Sequence, residues 1–122
     1  MIVSDFALYH WSPSSRRKQI IRYGLRPGSV SSCRLWKPPY VCFADSPLRG
    51  WSLIGRFRPE IEHWDLWWTT SAAVSGYEVI PYDNGEPKEY RVYERVFKRD
   101  LWLVGSRQNE HHLASSPPEP DA

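Results

Sequence analysis

His10, Glu89 and Cys42 are the residues whose types and settings make them candidates for chemistry in this chain. His10 lies in the aromatic run Phe6-Ala7-Leu8-Tyr9-His10-Trp11, where a lone histidine is more often structural than catalytic. Glu89 follows Pro87-Lys88 at the mouth of a turn, a place where a single carboxylate is usually just solvated. A catalytic thiol at Cys42 would need a basic neighbour and partial exposure. Inside Tyr40-Val41-Cys42-Phe43-Ala44 it reads instead as a small buried residue. Asp45-Ser46-Pro47 reads by residue type as a helix cap. Cys33 and Cys42 make neither a disulfide framework nor a zinc set, and His111-His112 stand in a polar stretch far from both, so no metal is expected.

The elements that must position these residues follow from pattern. Residues 6–11 read as a buried first strand. Ser12-Pro13-Ser14-Ser15 signals a helix start with Ser as cap and Pro in the first turn, and a basic helix is expected from Arg16 to Tyr23. Gly24 ends it as a left-handed cap. The Ser-, Gly- and Pro-rich stretch 28–39 is loop by composition. A strand at 40–44 and a short helix from Leu48 to Ile54 come next. Strands are then expected at 63–70, 77–82 and 89–95, with Asp83-Asn84-Gly85-Glu86-Pro87 as the turn between the last two. A last short strand covers 101–104. The order of strand and helix twice, then a run of strands, argues an α+β domain with its short helices in the N-terminal half.

The chain of 122 residues suits one domain. The domain is expected to span 1–105, with a polar, proline-bearing and disordered tail at 106–122. No apolar run reaches transmembrane length and no leader pattern opens the chain, so the expectation is a soluble, cytoplasmic monomer without a membrane partner. Aromatic residues make up 15%, with seven Trp, which fits a core of few large pieces or a stacking site for a flat ring. Net charge is +2, but residues 1–59 carry +8 and residues 60–122 carry −6. The basic half suits a phosphate-bearing ligand, and a dinucleotide or a nucleic acid would satisfy it equally.

Taken together, Leu8-Tyr9-His10-Trp11-Ser12, the helix ending Gly24-Leu25-Arg26-Pro27, the strand Tyr40-Val41-Cys42-Phe43-Ala44-Asp45-Ser46, and Lys88-Glu89-Tyr90-Arg91-Val92-Tyr93-Glu94 resemble the ADP-ribosyltransferase superfamily. The likeness is to the branch with a His, an aromatic and a Glu as its signature, which includes the poly(ADP-ribose) polymerases. It covers residues 8 to about 105 in order and spacing, and Phe-Ala-Asp at 43–45 and Glu-Tyr-Arg-Val-Tyr at 89–93 are its most specific parts. The resemblance implies a split β-sheet and NAD as substrate. It implies a glycosyltransferase that cleaves the nicotinamide–ribose bond through an oxocarbenium-like state, with Glu89 as the catalytic carboxylate. His10 would orient the adenosine-side ribose, and the backbone at Tyr9 to Trp11 would read the nicotinamide amide. Two departures stand out. Cys42 occupies the place of an aromatic, which Tyr40 on the same strand face partly supplies. Trp51 is the candidate for the ring that stacks on nicotinamide, at a shorter spacing, and Ser46 joins the cofactor-binding set.

The expected activity is therefore mono-ADP-ribosyl transfer to a protein or nucleic-acid acceptor. A domain this small suits a bacterial or phage effector acting inside a host cell. An RNA 2′-phosphotransferase-like NAD enzyme is the alternative, though the chain lacks room for that family's additional lobe. A non-catalytic nucleotide- or nucleic-acid-binding domain is the third reading, carried by the basic half and the aromatics.

Overall fold

The computed structural model describes residues 5–28, 38–54 and 58–112. Most of the expected loop, with Cys33, and positions 113–122 of the expected tail lie outside the described residues.

The described residues form two three-stranded antiparallel sheets and a few short helices, a mixed α+β class. Strand β1 (Ala7–Pro13) runs into a 3-10 turn at Ser14–Arg16 and helix α1 (Arg17–Tyr23). Strand β2 (Val41–Phe43) leads to helix α2 (Pro47–Ile54), and β3 (His63–Thr70), β4 (Glu78–Pro81), β5 (Pro87–Val92) and β6 (Trp102–Gln108) follow. One sheet has the order β1-β3-β6 and the other β2-β5-β4. No helix among the described residues is long and apolar enough to cross a membrane.

Strand β3 reads His-Trp-Asp-Leu-Trp-Trp-Thr-Thr without polar alternation because both of its faces are covered. Trp67 and Leu8 point into a core shared with Phe43, Tyr90 and Val92 of the second sheet. Trp64 and Leu66 point the other way, against Trp11 and, from α2, Trp51. Fully burying one such large side chain contributes about 1.5–3 kcal/mol. The sheets meet at one joint, where Tyr9 and Ala44 exchange both backbone hydrogen bonds at 2.8 Å.

A second joint ties α1 to the segment after β5. Leu25 and Val96 exchange backbone bonds at 2.9 Å. Gly24 makes this possible: its φ is +76°, and a Cβ there would lie 2.1 Å from the Val96 carbonyl oxygen. Gly24 thus ends α1, as its residue type suggests.

Two expectations change. Ser12 does not cap a helix, because β1 continues through Pro13, and its Oγ accepts the Trp67 indole N–H at 3.1 Å. The last strand does not stop at 104, and the polar stretch from 106 onward does not begin as a loose tail. Ser106 to Gln108 complete β6 against His63–Asp65. The amide of Asn109, which is 2% exposed, donates to the carbonyls of Arg58 and Ile61. Polar composition hid this because the segment is held by hydrogen bonds rather than apolar burial.

Candidate functional site

Strand geometry brings three of the chemistry-bearing residues together. The backbone groups of β2 that face away from β5 face β1, and the joint uses only those of Ala44. The Cys42 carbonyl, two residues earlier on that edge, accepts a 2.7 Å hydrogen bond from His10 Nδ1. A carbonyl only accepts, so Nδ1 carries the proton and Nε2 keeps a free lone pair. Burial pushes the His10 pKa below its ordinary value, and the bond to Cys42 offsets this only in part. His10 is therefore a neutral acceptor at physiological pH.

On the same strand, Cys42 Sγ donates to Glu89 Oε2 at 3.2 Å. Burial pushes the thiol pKa far up, and the Glu89 charge pushes it further, so Cys42 stays protonated and acts as a donor rather than a nucleophile. Glu89 and Arg91 share a face of β5, and Arg91 Nε donates to Glu89 Oε1 at 2.5 Å. The Arg91 guanidinium also lies 4.4 Å from the centre of the Tyr40 ring. Cys42 thus meets His10 through its backbone carbonyl and Glu89 through its thiol, two separate contacts rather than one hydrogen-bonded chain. Glu89 and Arg91 lie on the face of β5 opposite Tyr90 and the core, with Tyr40 beside Arg91, whereas the His10 ring packs on Phe43 of the core face.

The remaining candidates lie elsewhere. Trp11 and Trp51 are buried edge to face at 4.9 Å in the second core. The Trp51 ring also meets Trp64, Arg107 covers it at 4.3 Å, and its indole N–H donates to Glu110. Tyr9 packs on the same cluster. Ser46 Oγ accepts the Arg49 backbone N–H at 3.1 Å, the cap its sequence suggests for α2. His10 lines a small pocket with Ser12, Arg16, Gln19, Tyr23 and Arg26. Glu89 is not part of its wall.

Sequence reasoning missed two features. Arg91 shares a strand face with Glu89 at a spacing of two, a signal present in the sequence. Asp65 had no such signal. It is fully buried in β3 and receives Ser14 Oγ and Ser106 Oγ at 2.7 Å and two bonds from Arg17 at 2.6 and 2.7 Å. Burial acts to raise its pKa, but these four donors outweigh burial and hold it below the usual value.

The fold and site together define a small α+β protein in which Cys42 touches both His10 and Glu89 beside the joint of two antiparallel sheets. No family model, curated protein or solved structure matches the chain.

Proposed function

We propose that the chain is an NAD-dependent mono-ADP-ribosyltransferase with an ADP-ribosyltransferase-like split sheet. The observation that carries this reading is that Cys42 contacts both His10, through its carbonyl, and Glu89, through its thiol, residues 79 positions apart that the resemblance assigns to one substrate. The neutral His10 Nε2 suits acceptance of a hydroxyl from the adenosine-side ribose. The Glu89 carboxylate, fixed by Arg91 and Cys42, faces the nicotinamide-side ribose. As the nicotinamide–ribose bond breaks, positive charge grows on the sugar, and an anchored carboxylate stabilises it without reorganising. The electron pair of that bond leaves with nicotinamide, and the acceptor's nucleophile closes on the ribosyl carbon and gives up its proton to water.

The backbone also fits. Successive residues of a strand direct their N–H and C=O groups to opposite sides. Tyr9 points its groups at Ala44, so Trp11 points its own to the same side, beyond the joint. That is where a carboxamide would find one donor and one acceptor. Arg16 and Arg26 in the His10 pocket suit the pyrophosphate. The pocket holds only about 60 Å³, enough for part of the ligand, so most of the dinucleotide lies over open surface. Tyr40, one side chain away from Glu89 through Arg91, is the ring we place near nicotinamide; Trp51 already serves the core.

The test is incubation with NAD labelled in its adenosine half, in the presence of cell lysate. Transfer of label to a macromolecule supports the reading, and loss of that transfer in Glu89→Gln ties it to the site. Absence of any label transfer and of any nicotinamide release overturns it.

A further inference from the structure

Among the described residues, a cationic surface is assembled from two segments distant in sequence. Residues 16–26 hold five arginines and lysines and no carboxylate. One of the five, Arg17, turns to Asp65. The joint between Leu25 and Val96 lays against this segment a second one from the acidic half of the chain, where Arg95, Lys98 and Arg99 outnumber Glu94 and Asp100. Leu25 and Val96 point into the core, so alternation turns Arg26, Arg95 and Phe97 outward.

Each half of this surface presents an exposed ring flanked by two arginines. Tyr23 is 38% exposed, with the guanidinium carbons of Arg22 and Arg26 at 5.2 and 5.0 Å from its centre. Phe97 is 42% exposed, with those of Arg95 and Arg99 at 4.4 and 5.0 Å. Excess cations beside sequence-tolerant π faces match what an unpaired polynucleotide offers: phosphates at regular intervals and bases free to stack. A duplex hides its base faces, and an acidic peptide has none.

We propose that this surface, α1 together with Arg95–Arg99, binds single-stranded nucleic acid, with phosphates on the arginines and bases against Phe97 and Tyr23. The inference goes beyond the NAD chemistry; the surface adjoins the His10 pocket, which Tyr23 and Arg26 also line, and binding is measured without turnover. Arg22, Arg95, Arg99 and Phe97 lie outside the His10 pocket, so substitutions there leave the proposed NAD site intact.

Fluorescence anisotropy of the full chain with short, labelled, mixed-sequence single-stranded DNA and RNA provides the test. Binding of either strand is expected, with log Kd linear in log salt and each lost phosphate contact lowering the slope by roughly 0.7. Arg22→Glu with Arg99→Glu is expected to weaken binding more than about tenfold, and Phe97→Ala by roughly five- to hundredfold. Arg22→Gln with Arg99→Gln serves if the charge reversal fails to fold, with the same direction expected. Failure to bind any single strand overturns the proposal. So does unchanged binding in the folded arginine variants, unchanged binding in Phe97→Ala, or equally tight binding of an acidic peptide.

Discussion

A single proton on His10 Nδ1 decides what that residue is able to do. The bond to the Cys42 carbonyl fixes the tautomer, and burial keeps the ring neutral, leaving Nε2 as an acceptor. The same arrangement has a cost in acid. With the folded pKa depressed below 6.5, the unfolded chain takes up the proton first as pH falls. The stability that neutral His10 confers is complete above pH 6.5 and is lost as pH drops through the lower, folded value. The melting-temperature gap between the parent and His10→Gln is therefore expected to narrow on acidification from pH 6.5 to about 5. A constant gap would mean that the imidazole is not neutral and buried as described.

At the scale of elements, Asp65 joins four pieces of the fold. Its carboxylate ties the 3-10 turn and α1 to β3 and β6. The two partners of its ion pair differ sharply, since the Arg17 side chain is 42% exposed and that of Asp65 is fully buried. Arg17→Ala strands a buried charge with only hydroxyl donors, and about 3 kcal/mol of stability is expected to go. Asp65→Asn keeps an acceptor for the serines and frees Arg17 to water, so about 1–2 kcal/mol is expected. Denaturant midpoints of the two variants check that order, and the reverse order would refute the network as described. Much of the element plan was legible: β3 spans 63–70 as its aromatic run suggests, and Ser46 caps α2 as its type suggests. The Asp65 network was not, because its partners stand 51, 48 and 41 residues away and leave no local pattern. Ser12 misled for a related reason: a cap and the end of a strand use the same residue type, and only Trp67 across the sheet decides between them. For the proposed site, His10 and Glu89 came from the resemblance rather than from local pattern, whereas Trp51 offered a ring whose neighbours only the fold reveals.

For the molecule as a whole, β6 and the turn after it close the structure. Truncation after Gly105 removes Ser106 from Asp65, Asn109 from the Arg58–Ile61 carbonyls and Glu110 from Trp51. Losing even roughly 2 kcal/mol lowers the melting temperature of a domain of this size by about 8 °C or more, which a thermal melt reads directly. An unchanged melt would show that residues 106–112 do not support the fold. In the proposed function, the two sheets and their joint at Tyr9 and Ala44 would set His10 and Glu89 against one dinucleotide. The most direct measurement of that claim compares nicotinamide release with NAD affinity in three variants. Glu89→Gln is expected to lose on the order of a hundredfold or more in turnover while binding NAD nearly as the parent does, since its charge acts as the bond breaks. His10→Ala is expected to weaken NAD binding as well as turnover, and Glu94→Gln, exposed beyond the end of β5, to be nearly silent. Full nicotinamide release by a folded Glu89→Gln protein, or none by the parent, would contradict the account.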